Sequence, residues 1–216
     1  MLKTNRGYMI VTSLITLIPM IVGLILWEQL PDTIATHFGS TGEANGWSSK
    51  PFAVFGIPLF VLAVHWICAV ATEHDPRHQN ISEKMYRLIL LICPLVSLLC
   101  AVAIYPFALG ININSSFIGE LFIGFVLVVI GNYLPKCRRN YTVGIKLPWT
   151  IHDEENWNRT HRLAGWLWMI CGLLVLLNTF LRFGGEWLMI TVFLVMILVP
   201  MGYSFGYYVK HKEKNE

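Results

Sequence analysis

Residues 131–165 read GNYLPKCRRNYTVGIKLPWTIHDEENWNRTHRLAG and contain six of the sixteen Lys and Arg residues of the chain. Apolar runs at residues 117–134 and 163–181 border this polar stretch. Each run has about the length that an α-helix needs to cross ~30 Å of hydrocarbon. The stretch is therefore predicted to be a loop at a membrane surface.

The composition of the whole chain supports the same interpretation. Hydrophobic residues make up 55% and charged residues only 13%, whereas soluble domains carry roughly 25% charged residues. The chain is thus predicted to be an integral membrane protein. Its net charge of +3 has to be weighed against membrane topology before it indicates an anionic partner.

Six apolar runs occur in the chain. The first is too long for the apolar core of a signal peptide, which has roughly 7–15 residues, and is interpreted as an uncleaved span. The fold class predicted is an all-α membrane protein, a six-helix transmembrane bundle. The runs are residues 8–30, 51–71, 85–109, 117–134, 163–181 and 187–209.

The distribution of basic residues predicts the orientation. All Lys and Arg except Lys50 and Arg182 fall on one side of the six spans. Because basic residues favour the cytoplasmic side, both termini and the loop at 135–160 are predicted inside, and the loop at 32–50 outside. The predicted division is an N-terminal two-helix region at 1–75, a third span with its connection at 76–110, and a core at 111–216.

Three kinds of metal-binding or reactive residues were weighed. His65 is the single ionisable residue of the second run, and either functions there or is neutral and hydrogen-bonded to a neighbouring helix, the interpretation we favour. His74 and His78 have helical metal-ligand spacing, but Pro76 between them disfavours a helix. The cysteines show no paired spacing, so neither a disulfide framework nor a metal site is predicted, and no cofactor is expected. They are Cys68, Cys93, Cys100, Cys137 and Cys171.

We call residues 135–160 the ledge. Residues 141–147 have the alternation of a short extended segment, and a helix is predicted to follow Pro148, with Thr150 and Asp153 as a capping pair. Glu155 and Arg159 have the spacing of an ion pair on this helix. One face of the helix is predicted to turn inward, so that the ledge continues into the fifth span; it comprises Trp157, His161, Ala164 and Trp168.

These residues also carry a resemblance. GNYLPKCRRNYTVGIKLPWT followed by WNRTHRLAG resembles the membrane core of the SdpI family, bacterial immunity proteins against a secreted peptide toxin. The loop PDTIATHFGSTGEANGWSSK at 31–50, with its neighbouring spans, resembles the small N-terminal membrane domain that often precedes this core. The resemblance implies a multi-pass protein of the bacterial cell membrane that protects against the toxin. It also implies a possible second role, holding a small winged-helix repressor at the membrane.

Two surfaces follow as candidate sites. The outer loop is expected to face the toxin with His37, Phe38 and Trp47. The ledge is expected to bind a cytoplasmic partner when a shift of the fifth helix moves it. Its candidate residues are Arg138, Arg139, Asn140, Gly144, Trp149, Trp157, Thr160 and His161.

Three alternatives were considered. An exporter of a hydrophobic peptide needs little charge at the bilayer midplane and stays open. Direct nucleic-acid binding is disfavoured, because topology and lipid headgroups already account for the basic cluster at 136–139. An enzyme is disfavoured because the acidic residues suit a helix start; it would use His152, Asp153, Glu154, Glu155 and His161.

Overall fold

The computed structural model describes residues 4–39, 42–111 and 113–212. Six helices of the described residues are long and apolar enough to cross a membrane, which confirms the predicted fold class. The helices are α1 (Arg6–Ile25), α2 (Ile57–Glu73), α3 (Glu83–Ala108), α4 (Ser115–Tyr133), α5 (Pro148–His152), α6 (Glu154–Leu181) and α7 (Gly185–Lys212). The short α5 is the one helix of this set that does not span.

The chain forms two compact units. The first comprises Met1–His74 and Glu83–Gly119, and the second comprises Asp75–Ser82 and Glu120–Glu216. A short connection between α2 and α3 thus belongs to the second unit, although both helices belong to the first. The predicted three-part division, with boundaries at 75 and 110, stays a prediction.

In the first unit, α1, α2 and α3 pack against one another. Two side chains of α3 donate hydrogen bonds to carbonyls of α1: Ser97 Oγ to Thr16 O at 2.8 Å, and Tyr105 Oη to Pro19 O at 2.8 Å. Such bonds satisfy polar groups where no water is present. Around Tyr105 lies an apolar core of Leu30, Ile34, Ala53, Val54 and Ile104.

His65 is completely buried, and its Nε2 lies 3.1 Å from Thr12 Oγ1 of α1. The expectation of a hydrogen bond to a neighbouring helix is confirmed. His74 and His78 share no helix, because α2 ends at Glu73, before both of them, and His78 lies in a separate 3₁₀ turn.

Residues 32–50, expected to form an outer loop, contain a β-hairpin. Strands β1 (Thr33–Phe38) and β2 (Ala44–Ser49) pair antiparallel, with Ala35 opposite Trp47. Register shifts on both sides of His37 interrupt the alternation, which is why the two-residue period was not visible in the sequence. Residues 40 and 41 of the predicted loop lie outside the described residues.

In the second unit, α4 and α6 approach closely at two glycine pairs. A Cβ atom added at Gly131 would lie 2.8 Å from Gly165 O, and one added at Gly172 would lie 2.8 Å from Gly124 O. Small residues at such a crossing let two helix backbones come together in a membrane. Helix α7 packs on α6 around Leu127, Cys171, Val175, Val192 and Met196.

The predicted capping pair is split between two helices. Thr150 Oγ1 accepts the Leu147 amide at 2.9 Å at the start of α5, whereas Asp153 caps α6 by accepting the Glu155 amide at 2.8 Å. The Glu155–Arg159 ion pair is confirmed at 2.7 Å. Because α6 begins at Glu154, the ledge continues into the fifth span as predicted.

Candidate functional site

Asn140 organises the first half of the ledge from its interior. Its side chain is completely buried, and its Oδ1 accepts the amides of Thr142 at 2.9 Å and Val143 at 2.6 Å. Its Nδ2 donates to Arg138 O at 2.8 Å. One side chain thereby supplies partners for three main-chain groups, and residues 141–147, expected to be extended, form bends at 141–144 and no regular structure at 145–147.

A stacked pair on α6 supports the second half of the ledge. Trp157 and His161 are buried, with ring centroids 4.1 Å apart. The Trp157 indole donates to Cys137 O at 2.7 Å, and the Ile145 amide donates to His161 Nε2 at 2.9 Å. Since Nε2 accepts from an amide, the ring proton lies on Nδ1, which is 2.8 Å from Trp157 O. The histidine is therefore fixed in one neutral tautomer.

Gly144 allows the ledge backbone to approach these two rings closely. Its φ angle is +113°, and a Cβ atom there would overlap His161 Nε2 and lie 3.0 Å from the Trp157 ring. Any larger residue would be strained and would also push the ledge off the α6 rings.

Polar side chains join α5 and α6 to α7. Trp149 Nε1 donates to Ser204 Oγ at 2.9 Å, and Asn156 Nδ2 donates to Ser204 O at 3.0 Å. Asn156 Oδ1 also accepts the Thr160 hydroxyl at 3.0 Å, and both residues are completely buried. Two hydrogen bonds from the end of the ledge thus meet at Ser204 of α7, and the Trp149 ring also packs against Phe205 and Tyr208 of that helix.

We call residues 75–82 the strap. Asp75 is buried, and its Oδ2 accepts the Tyr141 amide at 2.8 Å and the Thr142 hydroxyl at 2.6 Å. Its Oδ1 accepts the Arg77 amide at 2.7 Å. Burial acts to raise the pKa of this carboxyl, but the hydrogen bonds from Thr142 and from the amides outweigh it, so the pKa lies below its ordinary value.

The exposed surface of the ledge is basic and aromatic. Arg138 and Lys146 are exposed, and Tyr141 lies under the Arg77 guanidinium at 4.8 Å. Arg139 is partly buried and donates to Ile151 O at 3.4 Å and His152 O at 3.2 Å. Among the eight predicted ledge residues, Arg138 thus offers its side chain outward, while Asn140, Trp157, Thr160 and His161 contribute by positioning the loop.

The hairpin places its three predicted residues differently. Trp47 is 58% exposed, and His37 is exposed beside Asn45, to which its Nδ1 is hydrogen-bonded. Phe38 packs edge-on against Phe107 of α3 with ring centroids 5.1 Å apart. His37 and Trp47 are available for contact, whereas Phe38 holds the hairpin on the first unit.

The residues of the enzyme alternative have structural partners. Asp153 caps α6, Glu155 pairs with Arg159, and His152 Nδ1 lies 2.6 Å from Pro148 O. Among the described residues, no three His, Cys, Asp or Glu side chains are grouped so that they could hold a metal ion.

Sequence reasoning missed the strap and Asn156. Pro76 indicated only a non-helical connection here, yet Asp75 is buried and Asn80 Nδ2 donates to Arg139 O at 2.7 Å. The available signal was Asp75 before Pro76, since Asp commonly accepts a backbone amide two residues on. Nothing in the sequence indicated that its second oxygen would bind residues more than sixty positions away.

Comparison with known proteins gives matches that include both the hairpin and the ledge. Residues 136–204 match the SdpI/YfhL protein family, and residues 14–62 match a domain of unknown function, DUF1648. The first match runs from the start of the ledge to Ser204, and the second includes the hairpin. The chain is also 26% identical over 208 residues to the immunity protein SdpI of Bacillus subtilis (strain 168), covering 93% of this chain and 96% of that protein. No solved structure matches the chain.

Proposed function

We propose that the chain, whose residues 136–204 match the SdpI/YfhL protein family, is a membrane immunity protein that protects its cell from a secreted toxic peptide. The observation that carries the proposal is the similarity to an immunity protein over 93% of this chain. Because this similarity is nearly end to end, it includes the hairpin, the strap and the ledge. The six helices and this similarity make the chain a multi-pass protein of the bacterial cell membrane.

We propose that the hairpin meets the toxin. The proposed orientation, with both termini inside, puts the hairpin on the outer surface. Trp47 and His37 present an aromatic and a polar group that a membrane-active peptide can pack against. Tryptophan side chains often contribute much of the binding free energy at protein interfaces. Protection then follows from binding or occlusion and requires no change in the peptide.

We further propose that the ledge is the docking surface for a cytoplasmic partner, with a small winged-helix repressor as the candidate. The specific support is the contrast between its fixed interior and its exposed basic surface at Arg138 and Lys146. A preorganised surface loses little conformational entropy when a partner binds. Arg138→Ala should abolish toxin-dependent recruitment of the partner and keep resistance, with exposed Arg162→Ala as its control.

The test of immunity uses the native host. A strain lacking the gene should become sensitive to conditioned medium from its own culture or from B. subtilis strain 168, and the full-length chain should restore resistance. Mass spectrometry should recover the peptide intact. Equal survival of the deletion and parent strains would contradict the proposal, and a cleaved or modified peptide would favour the enzyme alternative.

Orientation is tested by cysteine labelling. In whole cells, an impermeant maleimide should modify Asn45→Cys, which is exposed on the hairpin, and should leave Arg138→Cys unmodified until the membrane is opened. The native Cys137 should add little background, because burial raises its pKa to about 11 and leaves little thiolate, although a hydrogen bond from Asn140 acts in the opposite direction. Labelling of the two sites in reverse order would overturn the orientation.

A further inference from the structure

The strap connects two helices of the first unit but makes its contacts with the ledge. Asp75 binds the Tyr141 amide and the Thr142 hydroxyl, Asn80 Nδ2 donates to Arg139 O at 2.7 Å, and Arg77 Nη1 donates to Ile151 O at 3.3 Å. These contacts lie along one edge of the ledge, at Arg139, at Tyr141 and Thr142, and at Ile151. The position of the strap therefore sets the position of that edge.

One helix leads from the hairpin to the strap. Strand β2 ends at Ser49, a π-helical turn begins at Phe52, and this turn continues into α2 as far as Glu73. The 22 residues from Phe52 to Glu73 form a rod about 33 Å long at about 1.5 Å per residue. Asp75 lies two residues after the end of this helix. Only one residue therefore separates the helix from Asp75, the first strap residue that binds the ledge.

We propose that the strap, anchored by Asp75, transmits a displacement of α2 from the hairpin to the exposed edge of the ledge. The proposal rests on the proposed function, in which the hairpin meets the toxin and the ledge docks a partner. It adds the route between the two surfaces and assigns Asp75 as a positioning residue for the docking surface.

The pattern of hydrogen bonds explains why this edge of the ledge can shift while the interior of the ledge keeps its structure. The interior of the ledge keeps its own hydrogen bonds through Asn140, His161 and Thr150, none of which involves the strap. Asp75 has a different role, because it is the one strap residue whose side chain binds the ledge through an amide and a hydroxyl at once. Loss of its carboxylate should release the edge at Tyr141 and Thr142 and leave the His161 contact with Ile145 in place.

The experiment uses hydrogen–deuterium exchange on the full-length chain in lipid nanodiscs. The probe is an Fab raised against the hairpin peptide, residues 32–50, which perturbs the hairpin without requiring the toxin. In the wild type, Fab binding should change exchange of the Tyr141 amide, which Asp75 accepts, by about tenfold, while the Thr142 and Ile145 amides, which Asn140 and His161 accept, stay constant. In Asp75→Asn, the Tyr141 amide should exchange about tenfold faster without Fab, and the Fab response should be lost.

Two further variants test the Asp75–Thr142 bond and control for the loss of a carboxylate. Thr142→Val removes one of the Asp75 bonds and should weaken the Fab response, and adding it to Asp75→Asn should have no further effect, because both changes remove the same bond. Glu83→Gln changes an exposed carboxylate just beyond the strap and should respond like the wild type. A Fab response that is absent in the wild type, or unchanged in Asp75→Asn, would overturn the proposal. Resistance of the wild type tests immunity independently of this result.

Discussion

The hairpin and the ledge are both ordered polar connections between membrane helices, but different interactions hold them in place. In the hairpin, main-chain pairing of β1 with β2 provides the order, and the side chains of Asn45, Trp47 and Ser49 are exposed. In the ledge no strand forms, and buried side chains such as Asn140 and His161 accept the main-chain amides. The hairpin can therefore vary its exposed side chains at little cost to the fold, whereas each interior residue of the ledge is tied to the conformation of the loop.

The largest effect is expected at Gly144 in the ledge. Gly144→Ala adds a Cβ atom against His161 and Trp157 at a φ of +113°, so clash and backbone strain act together. The free energy of unfolding should fall by about 3 kcal/mol. Thermal unfolding in detergent, followed by circular dichroism, measures the change.

Gly110 provides the matched control for Gly144. It also has a positive φ, +74°, but nothing lies within 4 Å of an added Cβ atom. Gly110→Ala should therefore lose only about 1 kcal/mol, the cost of the backbone conformation. Equal losses in the two variants would mean that the contacts of Gly144 with the α6 rings do not stabilise the ledge.

A smaller loss is expected when the interior amide of the ledge is removed. Asn140→Ala leaves the amides of Thr142 and Val143 buried without their acceptor and should lower the free energy of unfolding by about 2 kcal/mol. Asn158→Ala, at an exposed position on α6, should change it by less than about 0.5 kcal/mol. Chemical denaturation of both variants gives the difference, and similar losses would contradict the assigned role of Asn140.

The same contrast explains which features sequence reasoning could predict. Membrane spans depend on length and apolar composition, which are local properties of the sequence, so all six spanning helices could be predicted. The fifth of them, α6, starts earlier than predicted, because Asp153 caps it well before the apolar run begins at Leu163. The hydrogen bond of His65 to a neighbouring helix was also predictable, because a single ionisable group in an apolar span needs a polar neighbour.

The missed features depend on contacts between distant residues. The two bulges beside His37 hid the hairpin, and the burial of Asp75 depends on Tyr141 and Thr142. The prediction for the ledge named Asn140, Gly144 and His161 from the layout of the loop, and the structure brings them together around one bend. Their spacing in the sequence gives no sign of that bend, because each hydrogen bond joins a side chain to a main-chain atom of any residue type.

A third, smaller effect should come from the link between the ledge and α7. Ser204→Ala removes the acceptor of the Trp149 indole and keeps the main-chain carbonyl that accepts from Asn156. The free energy of unfolding should fall by about 1 kcal/mol, the usual net value of one hydrogen bond. Combining Ser204→Ala with Trp149→Phe, which lacks the donor, should give less than the sum of the two losses in the same denaturation assay.

The smallest effect on stability, and the largest on function, is expected at Trp47 of the hairpin. Its side chain is 58% exposed and its strand is held by main-chain pairing with β1, so Trp47→Ala should change the free energy of unfolding by less than about 0.5 kcal/mol. If the hairpin meets the toxin, the same variant should lower the toxin concentration that the cell survives by at least about tenfold, because an aromatic side chain at an interface commonly contributes that much binding energy. Trp187→Ala is the control, since Trp187 is 78% exposed and begins the sixth span on the same proposed outer side. Loss of resistance in both variants would assign the effect to anchoring at the membrane surface, and loss in neither would remove the hairpin as the toxin-facing surface.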